Sequence, residues 1–388
     1  MGNKRKVCIV SGSRADYDLL YPLLCELKDS SKVEVQIIAT GMHLEKKFGA
    51  TWRNIEADRF RIDARVPIQL TGDTPQHISS SVARAIQLLA AVYKKIEPDI
   101  IVLLGDRFEI FAGAVGALIC GIPVAHLHGG EATFGAFDEA LRHSITKMSH
   151  LHFTATEKYR MRVIQLGENP ERVFNVGALG IDNIRRETFL TKEELESNLQ
   201  IKFKPQNLLI TFHPVTLEKN TSGGQCEELL TALDELENTQ LIFTKANADT
   251  YGKIINTALE AYVKKHKEKA VLFDCLGRRR YLSLMQYIDA VVGNSSSGII
   301  EASSFHIGTI NIGDRQKGRI RPSSVIDCEP TTSGIRDGLK RLYSQEFQGS
   351  LKDVTNPYGE GEAAIKIKEV LETYPLEGIL KKEFWDIK

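Results

Sequence analysis

The residues best suited to chemistry lie in one stretch, His126-Leu127-His128-Gly129-Gly130-Glu131, followed by Gly135, Asp138, Glu139, Arg142 and His143. Carboxylates with imidazoles to tune them are the groups that move protons at carbon and oxygen. Gly129-Gly130 would let the backbone approach a ligand closely. A helix starting at Asp138 would put Asp138 and Arg142 on one face. His126, His128 and Glu131 could in principle ligate a metal. Their HxHxxE spacing in a glycine-rich loop fits no strong zinc signature, so acid–base work is the better reading and no metal is expected.

Further clusters follow other short apolar runs. Gly105-Asp106-Arg107-Phe108-Glu109 reads as a carboxylate aimed at a site, with Arg107 setting its charge. The alternative is a helix cap with a buried Asp–Arg pair. Gly12-Ser13-Arg14-Ala15-Asp16 offers amides and a guanidinium to a phosphate, but it lacks the GxGxxG glycines of a dinucleotide site. His43 follows Thr40-Gly41-Met42, and Pro214 fixes the turn that carries His213. Asn247 lies in Lys245-Ala246-Asn247-Ala248-Asp249. Gly293-Asn294-Ser295-Ser296-Ser297-Gly298 places hydroxyls and orphan amides at a helix start, an anion site suited to a diphosphate. Glu301 could accept hydrogen bonds from ribose hydroxyls, and Arg315 adds a cation.

These clusters need elements to position them. Short β-branched runs alternate with helical stretches, the pattern of an open α/β sheet with strands buried on both faces. Strands are predicted at 6–11, 33–40, 99–104, 122–125, 151–154 and 173–176, and the pattern restarts at 208–212, 240–244, 270–273, 290–292 and 308–312. With 388 residues, two domains are expected. The expected division is 1–185 with the acid–base residues, 186–370 with the diphosphate site, and a tail, 371–388, crossing back onto the first domain. In such sheets ligands bind beyond the carboxyl ends of the strands, where every cluster above falls.

Composition narrows the partners. The 50 basic and 50 acidic residues cancel, which argues against a nucleic-acid partner. Six scattered cysteines without a CxxC pair suit reduced thiols in the cytoplasm. The first apolar run is too short for a signal peptide, and the apolar stretch from Ile101 to Ala125 carries Asp106, Arg107 and Glu109, so no membrane span is expected.

The segments GSRADYDLL, LLGDRFE, HLHGGEATFGAFDEALRHSITKMSH, TFHPV and GNSSSGIIEA together resemble the UDP-N-acetylglucosamine 2-epimerase family. Within it they are most similar to the hydrolysing branch that feeds sialic-acid-type sugar synthesis. The resemblance runs from about Lys4 to Arg319 and is most specific in the HGGE…RHSITKMSH stretch; the non-hydrolysing branch usually reads HxEAG. It implies a GT-B-like fold, two Rossmann-like doubly wound domains facing a central cleft. It implies loss of the C2 proton and of UDP to give a 2-acetamidoglucal, then addition of water. The products would be UDP and, from UDP-N-acetylglucosamine, N-acetylmannosamine. The alternative substrate is UDP-N,N'-diacetylbacillosamine, on the legionaminic acid route. A non-hydrolysing epimerase, a GT-B glycosyltransferase and a silent UDP-sugar sensor are the remaining alternatives.

By resemblance, Asp106, Glu131 and Asp138 are the acid–base candidates, with His213 near the diphosphate. Some relatives carry Glu where this chain has His128, so that role passes here to Glu131 or His128. Arg14, Asn247, Ser295, Ser296, Glu301 and Arg315 match UDP-contacting positions, beside Ser297, and Arg107 and Arg142 support them, Arg142 through Asp138. No cofactor or metal is implied. A homodimer or homotetramer is, and the loop from Thr133 to Phe137 would give apolar contact to the sugar.

Overall fold

The structure is a computed structural model and describes residues 4–72, 74–134, 137–215, 221–246 and 252–387. The chain divides into two units, Met1–Glu131 with Asp138–Arg185 and Tyr358–Lys388, and Ala132–Phe137 with Arg186–Pro357.

Among the described residues, the first unit is built on seven parallel strands: β1 (Arg5–Ser11), β2 (Val33–Thr40), β3 (Ala64–Val66), β4 (Ile100–Leu104), β5 (Val124–Leu127), β6 (Leu151–Thr154) and β7 (Val173–Asn175). Their order is β3-β2-β1-β4-β5-β6-β7. Successive side chains point to opposite faces, and both faces are covered. Val7, Ile9, Ile37, Val102 and Leu127 pack against the helix Arg14–Lys28 and its neighbours. Cys8, Val10, Ile38, Leu103 and Val124 pack on the other face with residues of the helices Pro75–Ile96 and Phe108–Cys120. This double burial explains the unbroken apolar runs in the sequence. The three-residue strand Ala64–Val66 was not foreseen; Ala-Arg-Val is too short and too polar to show a periodicity.

The second unit repeats the plan. Strands β8 (Gln206–Thr211), β9 (Thr239–Thr244), β10 (Ala270–Phe273), β11 (Ala290–Gly293), β12 (Gly308–Ile312) and β13 (Val325–Cys328) run parallel in the order β10-β9-β8-β11-β12-β13. The order reverses beside β1 and β4 in one sheet and beside β8 and β11 in the other. These are the switch points at which doubly wound sheets bind ligands.

The return to the first unit begins at Tyr358, earlier than residue 371, because the helix Ala363–Thr373 has its buried face in the first core. Asp182, itself buried, accepts hydrogen bonds from the amides of Ala363 (3.1 Å) and Ala364 (2.9 Å) and so caps that helix. Farther on, Lys382 donates to both oxygens of buried Glu168, at 2.9 and 2.8 Å. Burial pushes the Glu168 carboxyl up, but bonds from His152, Lys147 and Lys382 outweigh it and hold the group down at about 2. The six cysteines are free thiols. Among the described residues no helix is long and apolar enough to cross a membrane.

Candidate active site

In the first unit the centre is Arg142. Its side chain is almost wholly buried, on the inner face of the helix Asp138–Met148. It donates to Asp106, to Glu139 Oε2 (2.5 Å) and to the Glu131 carbonyl (3.0 Å). One guanidinium therefore gathers residues from the end of β4, the loop after β5 and the following helix. A planar fork with five donors suits this task better than an ammonium. Glu139 also accepts from His143 Nε2 at 3.1 Å.

His128 and Glu131 form a second pair, with Nδ1 2.9 Å from Oε1 and both residues buried. An ionised carboxylate only accepts, so Nδ1 is the donor of this pair and Nε2 is the ring nitrogen outside it. Nε2 is buried and has no hydrogen-bond partner among the described residues. The His128 backbone is left-handed, at φ 63°, and its amide is tied to the Phe153 carbonyl at 2.8 Å. Such strain in a non-glycine residue is found at functional sites.

His126 faces elsewhere. Its Nε2 lies 2.8 Å from the Gly105 carbonyl and its Nδ1 3.1 Å from Thr146 Oγ1. Complete burial lowers its pKa to about 3, so it is a neutral strut on the Gly105 carbonyl, one residue before Asp106. Among the described residues no group of three or more His, Cys, Asp or Glu side chains could hold a metal ion. Gly130 makes a close approach within the protein. At φ 75°, a Cβ there would stand 2.4 Å from the Tyr159 carbonyl, so the close approach is to the protein's own helix.

Arg107 donates to Glu109 at 2.7 Å, and Glu109 is fully buried. Arg14 lies 3.4 Å from Asp18 on the first turn of its helix. Asp16 is raised to about 6 by burial, against the pull of Arg107. His43 is buried between Ser11 (2.9 Å) and Thr51 (2.8 Å), and burial lowers it to about 4. Asp138 opens its helix, half-buried, one turn before Arg142.

In the second unit, His213 follows β8 and is 6% exposed. Ser295 caps the helix Ser296–Ile300 by accepting from the Ser297 amide (3.4 Å), and the Ser297 hydroxyl donates to Glu301. With two serines engaged inside the turn, Ser296 is the half-buried hydroxyl between them. The helix has only five residues, so its dipole is small and a diphosphate would depend more on hydroxyls and on Arg315. Arg315 Nη1 and Gln316 Nε2 both donate to the Asn294 carbonyl at 2.9 Å. Asn247, Gly135 and Ala136 lie outside the described residues; Phe134 and Phe137 are exposed.

Glu139, Asn294 and Gln316 are among the residues of these networks to which the sequence assigned no role. The three-residue spacing from Glu139 to Arg142 was the available signal for the first.

Residues 25–372 match the family model described as UDP-N-acetylglucosamine 2-epimerase. This chain belongs to that family. It is 44% identical over 386 residues to the GDP/UDP-N,N'-diacetylbacillosamine 2-epimerase (hydrolyzing) of Campylobacter jejuni, covering 99% of this chain and 100% of the relative. It is 37% identical over 386 residues to the polysialic acid biosynthesis protein P7 of Escherichia coli, covering 99% and 98%. The match places this epimerase on the hydrolysing branch. The crystal structure of UDP-GlcNAc 2-epimerase from Neisseria meningitidis bound to UDP-GlcNAc superposes with a TM-score of 0.78 at 18% identity, over 94% of this chain and 99% of that one. The fold of this 2-epimerase is therefore GT-B-like.

Proposed function

We propose that this epimerase converts a UDP-linked 2-acetamido sugar and water to UDP and the free 2-epimer, with UDP-N,N'-diacetylbacillosamine as its preferred substrate. The observation that carries the reaction is the Arg142 cluster beside the His128–Glu131 pair. It gives carboxylates and an imidazole nitrogen within one unit, at the strand ends where a sugar would lie.

The reaction balances as follows. A base takes the C2 proton while the bond from C1 to the diphosphate oxygen breaks, leaving the 2-acetamidoglucal and UDP. Water then adds its hydroxyl to C1, and C2 receives a proton on the opposite face. Two faces need two proton carriers. His128 Nε2, oriented by Glu131, serves one face, and Asp106 or Asp138 serves the other. Arg142 fixes Asp106 in place. Ser296, Arg315 and His213 meet the charge that develops on the diphosphate. No step calls on a cofactor. The absence of a CxxC pair and the free thiols support a cytoplasmic setting.

The sugar assignment rests on the 44% relative, whose printed substrate carries N,N'-diacetylbacillosamine on GDP or UDP; UDP is the nucleotide in the name of this chain's family. The polysialic acid relative favours a second reading, UDP-N-acetylglucosamine giving N-acetylmannosamine. Parallel incubation with both UDP-sugars decides between them. The expected result is a kcat/KM at least ~10-fold higher for the diacetamido sugar, since a built polar contact discriminates by that much or more. A preference for UDP-N-acetylglucosamine establishes the second reading; no release of UDP from either overturns the function.

A further inference from the structure

Asn294 takes no part in any role described so far, yet it sits at the switch point of the second sheet. It is the first residue after β11, directly beside the end of β8, and it is 1% exposed. Its side chain makes two bonds to one residue. Oδ1 accepts from the His213 amide at 2.7 Å, and Nδ2 donates to the His213 carbonyl at 2.8 Å. A side-chain amide is the one group that matches a peptide donor and a peptide acceptor together. The Asn294 backbone carbonyl then receives Arg315 Nη1 and Gln316 Nε2, each at 2.9 Å. Gly293 makes this possible. At φ 130°, a Cβ there would stand 2.0 Å from the Thr211 carbonyl, so only glycine lets the end of β11 close on β8.

We infer that Asn294 is a positioning residue of the epimerase, fixing His213 through its side chain and Arg315 through its backbone carbonyl. The inference rests on the function proposed above and names the residue that registers its imidazole against its diphosphate-binding cation. The two attachments use different atoms, so substitution separates them. Asn294→Ala removes the clamp on His213 and keeps the carbonyl that holds Arg315. Asn294→Asp keeps the shape and the acceptor but sets a carboxylate oxygen against the His213 carbonyl, a repulsive contact in a buried place.

The test measures kcat, UDP affinity by calorimetry and thermal midpoint for Asn294→Ala, Asn294→Asp, His213→Ala and the His213→Ala/Asn294→Asp double variant. If Asn294→Ala fails to fold, the isosteric Asn294→Asp carries the comparison. The expected result is a kcat at least ~10-fold lower in either single Asn294 variant, the scale of a small misplacement of a reacting group. UDP affinity, which Arg315 still serves, should fall less than kcat does, and in the His213→Ala background the Asn294 change should cost less than about twofold more. Losses that multiply in the double variant, or a kcat and UDP affinity that fall together with the thermal midpoint, would overturn the inference. A wild type that binds UDP but releases none from either sugar overturns the proposed function instead, and the inference with it.

Discussion

Arg142 shows how a charge can be buried and still useful. Its guanidinium is out of water but meets two carboxylates and a carbonyl, which offset its desolvation. Arg142→Met should leave Asp106 and Glu139 without that partner and lower stability by about 3–5 kcal/mol, read from the urea midpoint; a cost below ~1 kcal/mol would show that the carboxylates find other partners. Asp106→Asn and Glu131→Gln should each slow UDP release at least ~10²-fold, the usual worth of a positioned acid or base. Wild-type rates in both would remove them from the mechanism. His126 predicts a pH effect. Burial lowers its folded pKa to about 3, below the ~6.5 of the unfolded chain, so the unfolded state binds the extra proton first. Its contribution is complete above that unfolded value and is lost as pH falls toward 3. Asp16, raised to about 6, works the other way: its contribution is complete below ~3.9 and is lost as pH rises through 6. As pH falls from ~6.5 toward 3, wild type should lose up to ~1.4 kcal/mol per pH unit more than His126→Gln, measured by denaturation across that range. Equal slopes would mean that His126 titrates normally.

At the scale of elements, what mattered most was legible because parallel strands buried on both faces write themselves as apolar runs, and ligand groups follow their carboxyl ends. That rule singled out Asp106, His128, Glu131, His213 and Ser295 as candidates, and each follows the end of a strand, β4, β5, β8 or β11. What stayed hidden were partnerships across long stretches of chain. Asn294 and His213 are 81 positions apart, and neither residue type announces the other. Asp106 and Arg142 are 36 apart, so the expected partner of Arg142 was its helical neighbour Asp138, while the guanidinium bonds Glu139 on the helix and Asp106 at the end of β4. Gly130 could be read as a loop glycine, but what it approaches depends on a helix that follows β6. The cap on the helix Ala363–Thr373 belongs to the same class, since Asp182 precedes its target by 181 residues. Asp182→Ala should cost about 0.5–2 kcal/mol, the worth of a helix cap, with protection of the Ala363 and Ala364 amides from hydrogen exchange lost first. Unchanged protection would contradict the capping role.

For the whole molecule, the sequence order of the two units is not their structural order, because the first is closed by the end of the chain. Ala363, Ala364, Ile367, Leu371 and Ile379 complete its core. A buried Leu or Ile contributes roughly 1.5–3 kcal/mol, and a domain's whole margin is about 5–15 kcal/mol. Ending the chain after Pro357 should therefore leave the first unit unfolded, seen as lost near-ultraviolet dichroism; a native spectrum would refute the closure. The reaction itself is tested most directly by proton NMR of the full chain with its UDP-sugar in heavy water. The account predicts free UDP together with a free 2-epimer that carries deuterium at C2, since that proton is lost and replaced from solvent. A free sugar that keeps its C2 proton, or an epimer still attached to UDP, would contradict it.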